Sequence, residues 1–167
     1  DITNHKMIEM VFSKIKPDLI IHTVPIIHLN KHRESESEIW KTNIDAIQKI
    51  VDQCKKINSK LIFLSSDYIF SGKNSLIDET ESINPLNYNG KIKFESEKIV
   101  STIEEFLIIR TSCVNDVNPN YKSFVVQVIN TLKKNETFDA AINQFEHPTY
   151  SINLSEIIVE LILEEVN

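Results

Sequence analysis

Residues 61–72 read Leu61-Ile62-Phe63-Leu64-Ser65-Ser66-Asp67-Tyr68-Ile69-Phe70-Ser71-Gly72. Four consecutive apolar side chains mark a strand buried on both faces, because a strand with one face in water alternates apolar and polar residues. The run passes directly into Ser65, Ser66 and Asp67, side chains that can satisfy a turning backbone themselves. Leu19 to Val24 (LIIHTV) upstream and Phe106 to Arg110 (FLIIR) downstream repeat the apolar pattern. Between the first two runs, Ile39 to Ile57 places Ile39, Trp40, Ile44, Ile47, Ile50, Val51 and Cys54 at helical spacing, which predicts a long amphipathic helix. Between the second and third lie a loop rich in Asn, Ser, Asp and Pro and an amphipathic stretch from about Gly90 to Thr102. Strands alternating with helices in this way form βαβ units, hence an α/β fold with a parallel sheet covered on both faces.

The flanks extend the pattern. Met7, Ile8, Val11, Phe12 and Ile15 predict a helix over Lys6 to Ile15, closed at Lys16-Pro17 because proline disfavours continuation. Beyond the third strand the sequence predicts a helix near Tyr121 to Lys134, a short β-like run over Thr137 to Ile142, and a final helix from about Leu154 to Glu165. No repeat or linker interrupts the chain, so residues 1–167 read as a single domain. In doubly wound sheets the chemistry lies beyond the carboxyl ends of the strands. That rule selects HTVPII, SSDYIFSG and TSCVND.

Composition removes several function classes. A chain of 167 residues with 41% apolar and 25% charged content is neither fibrous nor disordered. Only Gly72 and Gly90 are present, so neither G-x-G-x-x-G nor G-x-x-x-x-G-K-[ST] can be written within it. The net charge of −6 argues against nucleic-acid binding, which needs a concentrated basic footprint. Cys54 and Cys113 stand far apart without C-x-x-C spacing, which points to a reducing compartment and no thiolate metal site. No apolar run approaches the roughly 20 residues of a membrane span and no signal peptide is visible, so no membrane partner is expected and the cytoplasm is the default. Beginning at Asp1 without methionine, the sequence reads as a partial record.

Several further stretches carry a resemblance. KPDLIIHT, KTN ending at Asn43, SSDYIFSG, NPLNYNGKIKFESE, LIIRTS and NQFEHPTY follow one another in the order and spacing of the extended short-chain dehydrogenase/reductases. They are most similar to the dTDP-4-dehydrorhamnose reductase branch. The resemblance implies a Rossmann-like doubly wound sheet, with the N-terminal glycine-loop βαβ unit absent from residues 1–167. It implies hydride transfer from NADP or NAD to the ketone of a nucleotide-sugar substrate, and homodimers are common in the family.

The family mechanism uses a Ser/Thr to orient the carbonyl, a Tyr to donate the proton, and a Lys four residues later to lower the Tyr pKa and hold the ribose. By resemblance, Ser66 takes the hydroxyl position, Lys93 the lysine position, and Asn89 the tyrosine position. Cofactor contacts carry over to Asp1, Thr23, Val24, Pro25, Lys93, Thr111 and Ser112. Substrate contacts carry over to Asp67, Cys113, His147, Pro148 and Thr149. Asn89 departs from the pattern, because an amide has no accessible proton to give near neutral pH. Tyr88 is the neighbouring phenol, yet five helical residues from Lys93 place it about 140° away around the axis. It could serve only from a locally rewound helix start. Cys113 replaces a common Trp, and Glu146 replaces the family Gly.

Plainer readings stand beside these. Ser65, Ser66 and Asp67 also serve as turn formers, Lys93 as a solvated helix lysine, Thr111 and Ser112 as a strand end, and His147 to Thr149 as a proline loop. His28 and His32 have the four-residue spacing of two metal ligands, but their segment reads as loop without an H-E-x-x-H acid, so no metal site is expected. The rival to an enzyme is a non-catalytic binding or regulatory protein on the same fold, similar to the regulatory subunit of methionine adenosyltransferase.

Overall fold

The computed structural model describes residues 1–24, 35–73, 77–116, 118, 123–142 and 147–164. The chain divides into two compact units, Asp1–Arg110 and Thr111–Val166.

The first unit opens with helix α1 (His5–Ile15), started by the Asn4 side chain accepting from Met7 N and stopped at left-handed Lys16. Strand β1 (Leu19–His22) follows. It ends two residues earlier than the apolar run predicts, so Thr23 and Val24 lie beyond it. Helix α2 (Glu36–Ile57) begins three residues before the predicted start because Ser35 and Glu38 form a reciprocal capping box. Strand β2 (Lys60–Ser66) continues into a 3₁₀ turn over Asp67–Ile69. Helix α3 (Tyr88–Val100) and strand β3 (Phe106–Thr111) complete the unit.

The sheet order is β1-β2-β3. Strands β1 and β2 run parallel with Leu19 opposite Lys60 and His22 opposite Phe63. Side chains two apart share a face, and Leu61 and Phe63 pack with Ile8 and Phe12 of α1, with Ile47, Ile50, Val51 and Cys54 of α2, and with Val100 of α3. Val51, Cys54, Leu61 and Val100 are fully excluded from water. This core fixes α2 and α3 against the strand ends.

The second unit contains β4 (Val114–Asn115), α4 (Phe124–Lys133), β5 (Thr149–Tyr150) and α5 (Ser151–Leu163). Strands β4 and β5 pair in parallel, Val114 with Thr149 and Asn115 with Tyr150. The β-like run over Thr137 to Ile142 is not a strand. Among the described residues no ladder partner reaches it; Phe138 instead meets Phe124 edge-on at 5.6 Å between ring centroids, and Ile142 is left in water. Among the described residues no helix is long and apolar enough to cross a membrane.

Candidate functional site

Helix α3 starts where the Asn87 side chain accepts from Gly90 N at 2.7 Å. Gly90 then lets the helix approach the turn after β2. A Cβ built there would lie 2.1 Å from the Tyr68 carbonyl oxygen and 2.8 Å from its carbon, so only glycine fits this contact. Lys93, one turn further on, donates from Nζ to the Leu64 carbonyl oxygen at 2.9 Å, and Nζ stands 4.9 Å from the centre of the Phe63 ring. Ser66 is two residues beyond Leu64 on the same strand. Lys93 and Ser66 are thereby gathered at the carboxyl end of β2.

Burial drives the Lys93 pKa down to about 8, with the charge of Glu97 acting in the opposite direction. The half-buried Ser66 hydroxyl accepts from Tyr68 N at 3.2 Å and donates to Asp67 Oδ1 at 3.1 Å. It therefore performs the capping expected of a turn serine at the place where the resemblance puts a carbonyl-orienting hydroxyl.

Asn89 is exposed on the first turn of α3, four residues before Lys93 and so on nearly the same helix face. The neighbouring phenol, Tyr88, is engaged elsewhere. Its hydroxyl donates to the Glu36 carbonyl, and its ring lies 6.0 Å from that of Trp40. The helix start is regular from Tyr88 onward, so the rewinding needed to turn that phenol toward Lys93 is not present.

The remaining positions are more dispersed. Asp1 is exposed, its carboxylate accepting from Thr3 N at 2.9 Å and from Thr3 Oγ1 at 2.8 Å in a local turn. Thr23 is exposed and Val24 half-buried just past β1. Pro25, His28, His32 and Glu146 lie outside the described residues. Within the second unit, Thr111 donates to Thr149 Oγ1 at 3.1 Å, and Thr149 N donates to the Cys113 carbonyl at 2.9 Å. The Ser112 hydroxyl is buried without a partner among the described residues. His147 and Pro148 are exposed. A cavity of ≈ 190 Å³ is lined by Asn115, Asp116, Val125, Pro148, Thr149 and Tyr150, smaller than the roughly 300–1,000 Å³ typical of ligand pockets.

Sequence reasoning missed two groups. His22 is buried opposite Phe63, its ring 5.3 Å from the Phe63 ring, and neither imidazole nitrogen has a partner among the described residues. Burial first, and the Lys93 charge second, push its pKa down to about 4. A lone imidazole inside the apolar run LIIHTV was the available signal. The second group is the fork from Arg110 Nε and Nη2 to Glu97 Oε1 and Oε2, at 3.1 and 2.8 Å. Arg110 also lies over the Phe70 ring, 5.4 Å from its centre. A charged residue ending FLIIR was visible, but its partner thirteen residues earlier was not.

The sequence model of the RmlD substrate binding domain matches residues 1–167. A dTDP-4-dehydrorhamnose reductase of Aggregatibacter actinomycetemcomitans is 27% identical over 163 residues, covering 96% of this chain and 55% of that protein. The crystal structure of the Bacillus anthracis dTDP-4-dehydrorhamnose reductase in complex with NADP superimposes with a TM-score of 0.88 at 26% identity, over 99% of this chain and 59% of that one. The bovine methionine adenosyltransferase 2 subunit beta is 35% identical over 89 residues, 51% of this chain and 25% of that protein. The chain spans little more than half the length of the reductases it matches.

Proposed function

Because the chain belongs to the RmlD substrate binding domain family, within the extended short-chain dehydrogenase/reductases, we propose that it forms part of an NADP- or NAD-dependent reductase acting on the 4-keto group of a nucleotide-linked sugar. The observation that carries this reading is the arrangement at the end of β2, where Lys93 is anchored on Leu64 beside Ser66, with Asn89 one turn before it. An ammonium has three N–H donors, and one is spent on Leu64. The others suit the vicinal hydroxyls of a ribose, so the residues present fit a nicotinamide nucleotide. Such a cofactor, when bound, supplies the hydride.

Ser66 would orient the ketone oxygen, exchanging its bond to Asp67 for one to substrate. Lys93 would hold the cofactor's ribose, and its charge would favour negative character developing on the ketone oxygen. Asn89 can donate a hydrogen bond but not a proton, so proton delivery falls to solvent and turnover is slow. Loss of a positioned general acid lowers rates by about 10²–10⁴.

A second reading, a binding or regulatory protein similar to the methionine adenosyltransferase beta subunit, is favoured by one observation. The tyrosine position holds an amide, and the neighbouring phenol is committed to Glu36.

The full-length protein titrated with NADPH, followed by nicotinamide fluorescence, tests the first reading. Saturable binding lost in Lys93→Met supports it, as does a rise in ketone reduction in Asn89→Tyr by about tenfold or more. Absence of NADPH binding, together with stoichiometric recovery of one protein partner, would establish the regulatory reading instead.

A further inference from the structure

Lys93 and Glu97 are one helical turn apart on α3, the spacing at which a lysine and a glutamate on one helix face normally pair. They do not pair here. Both Glu97 oxygens are occupied by Arg110, reached across from the end of β3. The Glu97 side chain is 5% exposed and that of Arg110 23%, and a bidentate fork of this kind is the strongest form of carboxylate recognition. Lys93 instead turns to a neutral acceptor, the Leu64 carbonyl, and to the Phe63 ring. Among the described residues it takes part in no ion pair.

We infer that the Arg110 fork withholds Glu97 from Lys93, leaving the ammonium at the end of β2 uncommitted to any carboxylate and available to a ligand. Arg110 and Glu97 are thus positioning residues that act through Lys93. The importance of this arrangement rests on the proposal that Lys93 holds ligand hydroxyls; the arrangement itself does not. The same fork, with Arg110 over Phe70, ties α3 to β3 and to the segment that follows Ser66. Among the described residues, the charged and titratable groups that act on Lys93 and Arg110 are His22 from β1, Glu79 from the segment after β2, and Glu97 from α3 itself.

The fork makes an unusual demand of its two ends, because removing them must move Lys93 in opposite directions. Without Arg110, the buried Glu97 carboxylate needs a cation and the lysine one turn away supplies it, so the Lys93 midpoint rises. Without the Glu97 charge, the nearby carboxylate that favours the ammonium is gone, and the midpoint falls further below its present value of about 8. A fork that merely held the fold together would behave differently. Loosening it from either end would admit water to Lys93 and raise the midpoint both times.

The test is a ¹³C NMR titration of the lysine ε-carbons in the full-length protein without cofactor, with the Lys93 signal assigned by Lys93→Arg. Arg110→Gln is expected to raise the Lys93 midpoint by about one pH unit or more, and Glu97→Gln to lower it by about one. Arg110→Lys keeps a cation and the buried stem but cannot make the fork. It is expected to shift the midpoint upward as well, and carries the test if Arg110→Gln fails to fold. Shifts of the same sign from the two ends overturn the inference, as does an unmoved Lys93 with Glu97 taking up a proton. The measurement needs no NADPH, so failure to bind that cofactor bears on the reductase reading alone.

Discussion

His22 gives the structure its clearest pH dependence. The imidazole is buried, lies against Phe63, and lacks a partner for either nitrogen among the described residues. Its pKa falls from the ordinary 6.5 to about 4. In the unfolded chain His22 takes up a proton near 6.5, whereas in the folded chain it stays neutral until about 4. Between those limits the unfolded state binds more protons, so stability declines as pH falls through the window. It is undiminished above 6.5 and reaches its floor below 4. At about 1.4 kcal/mol per pH unit the loss attributable to His22 is roughly 3 kcal/mol, a large share of the 5–15 kcal/mol typical of a domain. Urea unfolding of the purified chain, followed by Trp40 fluorescence from pH 7.5 to 4, measures it. His22→Leu keeps an apolar contact with Phe63 and removes two unpartnered buried nitrogens. It should be at least as stable as the parent at pH 7 and lose most of the slope between 6.5 and 4. Carboxylates such as Glu9 and Asp78, whose pKa values are lowered by hydrogen bonds to Lys49 and Thr80, contribute equally to both proteins and cancel in the difference. Parallel curves for parent and variant would refute the reasoning.

Three further outcomes follow from local geometry. Gly90→Ala forces a methyl against the Tyr68 carbonyl; overpacking of about 1–3 kcal/mol outweighs a helix-propensity gain of at most about 1 kcal/mol, so calorimetry should show a Tm lower by a few degrees. Asn87→Ala removes the side chain that caps α3 through Gly90 N and should lower urea-derived stability by about 1 kcal/mol, and an unchanged midpoint would contradict that role. Burial pushes the Cys54 thiol up to about 11 and leaves it fully enclosed, whereas Cys113 is only half-buried. Brief maleimide treatment at pH 7.5 should therefore label Cys113 and spare Cys54 until urea is added, as read by peptide mass mapping.

The βαβ alternation was legible because apolar runs and helical spacing are local properties, and β2, β3 and α3 lie within a few residues of their predicted places. What the sequence hid was contact between distant segments. The charged stretch before α2 reads as loop, yet Ser35 and Glu38 form its cap. Strands of two residues, β4 and β5, exist only through each other. Alternation over Thr137 to Ile142 makes no strand where, among the described residues, no neighbouring strand pairs with it. The same division runs through the site. The four-residue offset from residue 89 to Lys93 is written in one helix, whereas the Leu64 carbonyl, the Phe63 ring and the Arg110 fork come from strands whose register no local pattern encodes.

Gly90 and Gly72, the two glycines of the chain, are needed for different physical reasons. Gly72 is required for its φ of +67°, with open space where a side chain would go, whereas Gly90 is required for the Tyr68 contact. The cap at Asn87, the approach at Gly90 and the anchor of Lys93 on Leu64 together place α3 against the end of β2. None of them involves the side chain of residue 89, which is exposed. Packing and capping therefore hold the backbone of residue 89 in place whatever side chain occupies it. Asn89→Tyr should accordingly leave the unfolding midpoint within about 0.5 kcal/mol of the parent, the range of ordinary surface substitutions. A gain in ketone reduction by that variant would then report the introduced phenol alone. A large loss of stability would mean that the amide is itself part of the frame, and that the position has been remodelled around it.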